Sequence, residues 1–311
     1  MAVRLKGRDL LSLGNLTVEE ILQILEYAQT LKLKHLAGEE HRLLAGKNIA
    51  MIFQKQSLRT RVSFEIGANH LGAHAVYLAP GDISLGEREG VADIAKVLSR
   101  YADCIVARVF VHQVVADLAE YASVPVINAL CDTYHPCQVL ADLLTIWEKK
   151  GEFEGLKLAF IGDGNNMSNS LMLGCGAVGM DVSVATPPNY EPNPKIVERA
   201  RETASARGGE IMVTCDPKEA IKDADVVYAD VWTGMGQEDE TEKRRKDFAG
   251  YGVTAELVSQ AAPDAVILHC LPAHYGEEIT FDLVHDDPRS AVFDQSENRM
   301  HVQKAVLALV I

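Results

Sequence analysis

The sequence predicts an α/β protein of two lobes, each a parallel sheet with helices on both faces, and a ligand site in the cleft between them. Three observations predict it. Short apolar, β-rich runs alternate with helical patterns, as parallel strands covered on both faces require. The 311 residues amount to two domains at roughly 150 residues each. The unusual polar clusters each follow the C-terminal end of an expected strand, where open α/β sheets bind ligands.

The elements follow in chain order. The first helix is expected from Thr17 to about residue 34, opened by a capping box of Thr17 and Glu20. Strands are expected at 47–53, 74–78, 104–108 and 124–130, and a longer helix at 135–150. Further strands are expected at 157–161, 181–185, 210–215, 224–229, 265–271 and 291–293. The last helix is expected at 297–311, apolar on much of its surface. The natural cut lies near 150–154, giving domains 1–150 and 151–296, with helix 135–150 bridging them and helix 297–311 packing back on the first.

Composition narrows the function. There are 30 Lys and Arg against 44 Asp and Glu, a net charge of −14. Such a surface repels nucleic acid and anionic membranes, so neither is an expected partner. No apolar run approaches the roughly 20 residues of a membrane span, and residues 1–16 lack the apolar core of a signal peptide. Six cysteines (Cys104, Cys131, Cys137, Cys175, Cys215, Cys270) include no CxxC pair. They read as free thiols in a reducing cytoplasm. The ten histidines are scattered along the chain, so no metal site is expected, and no cofactor either.

Ser57-Leu58-Arg59-Thr60-Arg61 opens a helix, whose free N–H groups, hydroxyls and Arg59 would cradle a phosphate. The same residues also read as an N-cap followed by solvated arginines. Arg108 ends an apolar run and must reach either solvent or an anion. His135-Pro136-Cys137-Gln138 begins a helix, with Pro136 suited to its first turn; capping alone also accounts for it.

Gly162-Asp163-Gly164-Asn165-Asn166-Met167 stands where a dinucleotide loop would, but Met167 replaces the third glycine and the next strand lacks a ribose-binding acid. The GxGxxG at 174–179 lies inside a helix and reads as a chance match. Asn165 and Asn166 present amides suited to a carboxylate or zwitterion. Asp230, ending its strand, suits an ammonium group, and the glycine-bearing run after it suggests a flap. Residues 243–246, KRRK, read as solvated surface offset by neighbouring acids. His269 and Cys270 are adjacent on a strand and so face opposite ways, poor geometry for a dyad. Leu271-Pro272 is a candidate cis peptide.

Together SLRTR, HPCQ, GDGNN, DVWTGMGQE, HCLPAH and ENR at 297–299 resemble the aspartate/ornithine carbamoyltransferase family, and its ornithine branch in particular. The motifs occur in the family's order across nearly the whole chain. The resemblance implies a first lobe for carbamoyl phosphate, a second for L-ornithine, and a homotrimer or a multiple of one. It implies that Ser57, Leu58, Arg59 and Thr60 hold the phosphate. Arg108, His135 and Arg299 would polarise the carbamoyl group, and Gln138 with the Cys270 and Leu271 carbonyls would hold its amide. Asn166, Asp230, Gly234 and Met235 would bind ornithine, with Asp230 and Cys270 near the reacting δ-amine.

The chain departs from the family pattern at Leu58 (usually threonine), at Gly81 (often a glutamine that reaches a neighbouring subunit) and at Gly234 (usually serine). The implied reaction is attack of a neutral δ-amine on the carbamoyl carbon, with phosphate leaving. Arg59 and Arg108 beside that amine would disfavour its charge. Three rivals remain: a carbamoyltransferase for putrescine or an N-acylornithine, a nicotinamide dehydrogenase of the same architecture, and a non-catalytic subunit.

Overall fold

The computed structural model describes residues 4–83, 85, 89–234 and 236–311. The chain divides into two compact units, one made of Met1–Leu144 with Glu297–Ile311, the other of Thr145–Ser296.

The first unit begins with α1 (Val18–Leu36). Thr17 caps it in a closed capping box: Thr17 Oγ1 accepts from Glu20 N–H and Glu20 Oε2 accepts from Thr17 N–H. Its buried residues Ile21, Ile24, Leu25, Ala28 and Leu31 follow the helical period and form one stripe. Then come β1 (Asn48–Phe53), α2 (Leu58–His70), β2 (His74–Leu78), α3 (Pro80–Ile83), α4 (Val91–Tyr101), β3 (Cys104–Arg108), α5 (His112–Tyr121), β4 (Val126–Leu130) and α6 (Pro136–Lys150). The strands pair in parallel in the order β2-β1-β3-β4. β3 and β4 are buried throughout and apolar except for Arg108 and Asn128, whereas edge strand β2 is half-exposed.

The second unit runs through β5 (Lys157–Ile161), α7 (Asn166–Ala177), β6 (Asp181–Ala185), α8 (Pro194–Ser205), β7 (Ile211–Thr214), α9 (Pro217–Ile221) and β8 (Val226–Ala229). It continues with α10 (Thr241–Asp247), α11 (Ala255–Val258), β9 (Val266–His269) and α12 (Phe281–His285). Its parallel sheet has the order β7-β6-β5-β8-β9. Ile161, Val227, Ala229, Ile267 and Phe248 contribute to its core. The last helix, α13 (Val292–Val310), starts in this unit and ends in the first.

Each sheet has one place where successive connections turn in opposite directions. In the first unit it lies between β1 and β3, in the second between β5 and β8. Loops at such a point splay apart and leave a crevice at the strands' carboxyl ends. Phe53 pairs with Arg108 at the first, and Ile161 with Ala229 at the second.

Three expected elements differ. Residues 291–293 form no strand: Ser290 makes a single bridge to Ile267, and α13 already begins at Val292. The last helix therefore starts five residues before its expected position. β9 stops at His269 because Leu271 takes a left-handed φ of 57° and gives its N–H to the His269 ring.

Candidate active site

The first cluster sits at the β1/β3 crevice. Ser57 is the N-cap of α2, its Oγ accepting from Thr60 N–H at 3.2 Å. Thr60 is buried, and its Oγ1 accepts from two arginines: Arg108 Nη1 at 3.2 Å and Arg299 Nη2 at 2.8 Å. Arg108 is the last residue of β3, and Arg299 lies on α13. One neutral hydroxyl thus gathers two guanidinium groups beside a helix N-terminus, an arrangement suited to an anion with several oxygens. Leu58 is 74% exposed, so its side chain takes no part and only its backbone is offered.

His135 precedes α6 and is buried. Burial, and then the charges of Arg299, Arg108 and Arg59, hold its pKa well below the ordinary imidazole range. The ring is therefore neutral near pH 7, a polar hydrogen-bonding group and not a cation. One turn on, the fully buried Gln138 gives its amide N–H to Asp142 Oδ1 at 2.8 Å, while among the described residues no donor reaches Gln138 Oε1. An oxygen left so in a buried place suits an N–H₂ donor.

The second cluster sits at the β5/β8 crevice. Asn165 caps α7, its Oδ1 accepting from Met167 and Ser168 N–H, and its Nδ2 donates to Asp230 Oδ2 at 2.8 Å. The other Asp230 oxygen accepts from Val231 N–H at 2.9 Å and from the Cys270 thiol at 3.1 Å. Asp230 and Cys270 therefore meet, as do Thr60, Arg108 and Arg299 in the other unit. Asn166 is the half-buried first residue of α7; the amide on Asp230 comes from Asn165. Leu271-Pro272 is cis. Gly234 gives its N–H to Gln237 Oε1, and Met235 lies outside the described residues.

Two features escaped sequence reasoning. Asn165 was legible only as one of two amides; its place as N-cap is what turns it toward Asp230. Arg244 reads as solvated within KRRK but is buried. It donates to Asp163 Oδ2, to the Trp232 carbonyl and to Glu240 Oε2, all at 2.9 Å. One face of α10 turns it inward, tying the run after Asp230 to the loop after β5. Burial raises the Asp163 pKa, while Arg244 pulls the other way.

Gly164 bears on the dehydrogenase reading. A Cβ there would fall 2.3–2.4 Å from the backbone of Tyr190, Glu191 and Pro192. The missing side chain at Gly164 thus serves close packing of the 190–192 turn on this loop. Gly176 serves packing between α7 and α8, where a Cβ would meet Ala204 at 3.1 Å.

Although the histidines are scattered in sequence, His274, Glu277 and Glu278 have ligand-type atoms within 4.8 Å of one another. Arg245 already pairs with Glu277 at 2.8 Å, and Glu278 Oε1 accepts from His269 and from His274 N–H. These contacts make the group a clasp on its own loop.

Residues 8–148 match the carbamoyl-P binding domain of the aspartate/ornithine carbamoyltransferase family, and residues 154–310 match its Asp/Orn binding domain. The chain is 56% identical to an ornithine carbamoyltransferase of Pyrococcus abyssi, covering all of this chain and 98% of that one. It is 55% identical to an anabolic ornithine carbamoyltransferase of Pyrococcus furiosus, with the same coverage. A solved ornithine carbamoyltransferase from Pyrococcus furiosus superposes with a TM-score of 0.96 at 56% identity, covering 99% of this chain and 98% of that one.

Proposed function

The chain belongs to the aspartate/ornithine carbamoyltransferase family, and from that premise we infer that it transfers the carbamoyl group of carbamoyl phosphate to the δ-amine of L-ornithine, giving L-citrulline and phosphate. The observation that carries this reading is the convergence of Arg108 and Arg299 on Thr60 Oγ1 at the start of α2.

We assign carbamoyl phosphate to domain 1–150 with helix 297–311, and ornithine to domain 151–296. Ser57, Leu58, Arg59 and Thr60 hold the phosphate, largely by backbone N–H groups. Guanidinium groups suit it because they stay charged and grip oxygens in a fork. As the amine's lone pair forms the new N–C bond, the carbonyl oxygen gains charge. Arg108, Arg299 and neutral His135 stabilise it, the C–O bond to phosphate then breaks, and the proton shed by the attacking nitrogen leaves on the departing phosphate. Gln138 Oε1 and the carbonyls of Cys270 and Leu271 hold the carbamoyl amide. Asp230, with Asn166, Gly234 and Met235, holds ornithine, and the Cys270 thiol lies against Asp230 near the reacting amine.

The amine must be neutral to attack, and a free alkyl amine has a pKa of about 10.4. The rate at low ornithine should therefore climb with pH above neutrality.

The oligomer is a homotrimer or a multiple of one, and the cytoplasm is its compartment. Self-association is supported by the half-exposed β2 edge and an apolar cavity of about 320 Å³ lined by Ile49, Val76, Leu78, Leu98 and Tyr101. Among the described residues no helix is long and apolar enough to cross a membrane.

Release of phosphate together with the carbamoylated amine tests the reading, with ornithine, putrescine and N-acetylornithine offered separately to purified protein; only ornithine gives citrulline. Activity on ornithine is expected to dominate. Preference for another amine would favour the second reading, to which glycine at 234 gives some weight. Carbamoyl transfer to none of them would overturn the assignment.

A further inference from the structure

We propose that Glu278 and His269 form a buried positioning pair that sets the Cys270–Leu271 turn, an inference that rests on the carbamoyl-transfer reading above. His269 is the last residue of β9, and its side chain and that of Glu278 are both fully buried. His269 Nδ1 accepts from Leu271 N–H at 2.9 Å. A backbone N–H can only donate, so the imidazole proton sits on Nε2. From there it points to Glu278 Oε1, 3.2 Å away. The carboxylate thus selects the tautomer that captures Leu271.

Both members are anchored. Glu278 Oε1 also accepts from His274 N–H at 2.6 Å, and the Glu278 carbonyl accepts from Val253 N–H. His269 N–H donates to Gln295 Oε1, and Gln295 Nε2 donates to the Tyr228 hydroxyl. What they hold is an uncommon backbone: Leu271 has φ 57°, a region that side chains bearing a Cβ seldom adopt. That torsion sets the direction of the Cys270 and Leu271 carbonyls. The same turn delivers the Cys270 thiol to Asp230. Neither Glu278 nor His269 needs to touch substrate; each acts through Leu271 N–H.

The test compares Glu278→Ala with Glu278→Gln, and His269→Asn with His269→Gln. Glutamine at 278 keeps an oxygen for His269. Asparagine at 269 keeps an acceptor where Nδ1 stood, whereas glutamine there places its polar atoms near Nε2. Glu278→Ala should lower kcat by about 100-fold, the loss expected of a misplacement near 1 Å, and Glu278→Gln should restore most of it. His269→Asn should outperform His269→Gln. Competitive inhibition by inorganic phosphate, which reports the Ser57–Thr60 cradle, should stay unchanged in all four.

Nitrogen-15 spectra of labelled histidine should show His269 protonated at Nε2 in the wild type and mixed in Glu278→Ala. Equal turnover of Glu278→Ala and wild type per folded molecule overturns the proposal. So does parallel loss of phosphate inhibition. If the alanine variant does not fold, equal losses in the two His269 variants overturn it instead. A wild type that makes no citrulline strikes the functional reading itself, whereas an active wild type with indifferent variants strikes only the pair.

Discussion

Arg299 Nη2 lies 2.8 Å from Thr60 Oγ1, joining the last helix to the first turn of α2 across 239 positions of sequence. Arg108 reaches the same oxygen from the end of β3. Two cations held to one point are preorganised for an anion, and in the proposed reaction the loss of either would remove charge where the carbamoyl oxygen develops it.

Arg108→Ala is therefore expected to lower kcat by about 10²–10³-fold, the usual loss for one oxyanion donor. Thr60→Val keeps the volume, removes the shared acceptor, and should act in the same direction with a smaller effect. Steady-state rates at saturating substrates measure both. Near-normal turnover of Arg108→Ala would remove that arginine from the mechanism.

Asp230 accepts hydrogen bonds from Asn165, Val231 and Cys270, which fixes its carboxylate before any ligand arrives. Asp230→Asn should raise KM for ornithine by about 10- to 100-fold, since a hydrogen bond to a charged group contributes about 1.5–3 kcal/mol. KM for carbamoyl phosphate should move far less. An equal rise in both would argue against a place beside ornithine.

Arg244 and Asp163 form a buried ion pair at 2.9 Å. Removing one partner of such a pair typically costs about 3–5 kcal/mol, because the other charge is left desolvated. Arg244→Ala should lose stability on that scale at neutral pH. Burial already raises the Asp163 pKa, and without the guanidinium it rises further. The folded variant then binds a proton that the unfolded chain does not, so its deficit should shrink as pH falls toward about 5. Urea midpoints of both proteins at the two pH values check this; a deficit that grows on acidification contradicts it.

His301, on α13, has its pKa pushed down to about 3, first by burial and then by Lys304. An unfolded chain protonates this ring near pH 6.5 and the folded one does not. Below about pH 6.5 the unfolded state holds the extra proton, so stability falls with falling pH, at most about 1.4 kcal/mol per unit for this group. His301→Gln should flatten that slope between about pH 6.5 and 5. Denaturation curves with the same slope in both proteins would deny His301 its part.

Most of the architecture was legible because its signals are local. The strands at 74–78, 104–108, 157–161 and 181–185 coincide with their expected limits, since each is a short, largely apolar and β-rich run. The capping box at Thr17 and Glu20 is a four-residue pattern and forms as expected. What escaped is non-local. Arg244 looks solvated until the face of α10 is known, and its partner Asp163 is 81 positions away. Asn165 and Asn166 are equivalent as letters, and only the cap geometry distinguishes them. The early start of α13 was hidden by Ala291-Val292-Phe293, whose apolar letters suit a strand as well as a buried helical turn.

The chain leaves the first unit inside α6 and returns to it inside α13, so one unit is interrupted by the whole of the other. During synthesis the inserted unit has all its strands before the interrupted one receives its final helix. The half begun first is thus completed second, and Arg299, which bonds to Thr60, is made only after every strand of the inserted unit. Any early release of the nascent chain near residue 296 would leave a finished second unit attached to a first unit without that arginine.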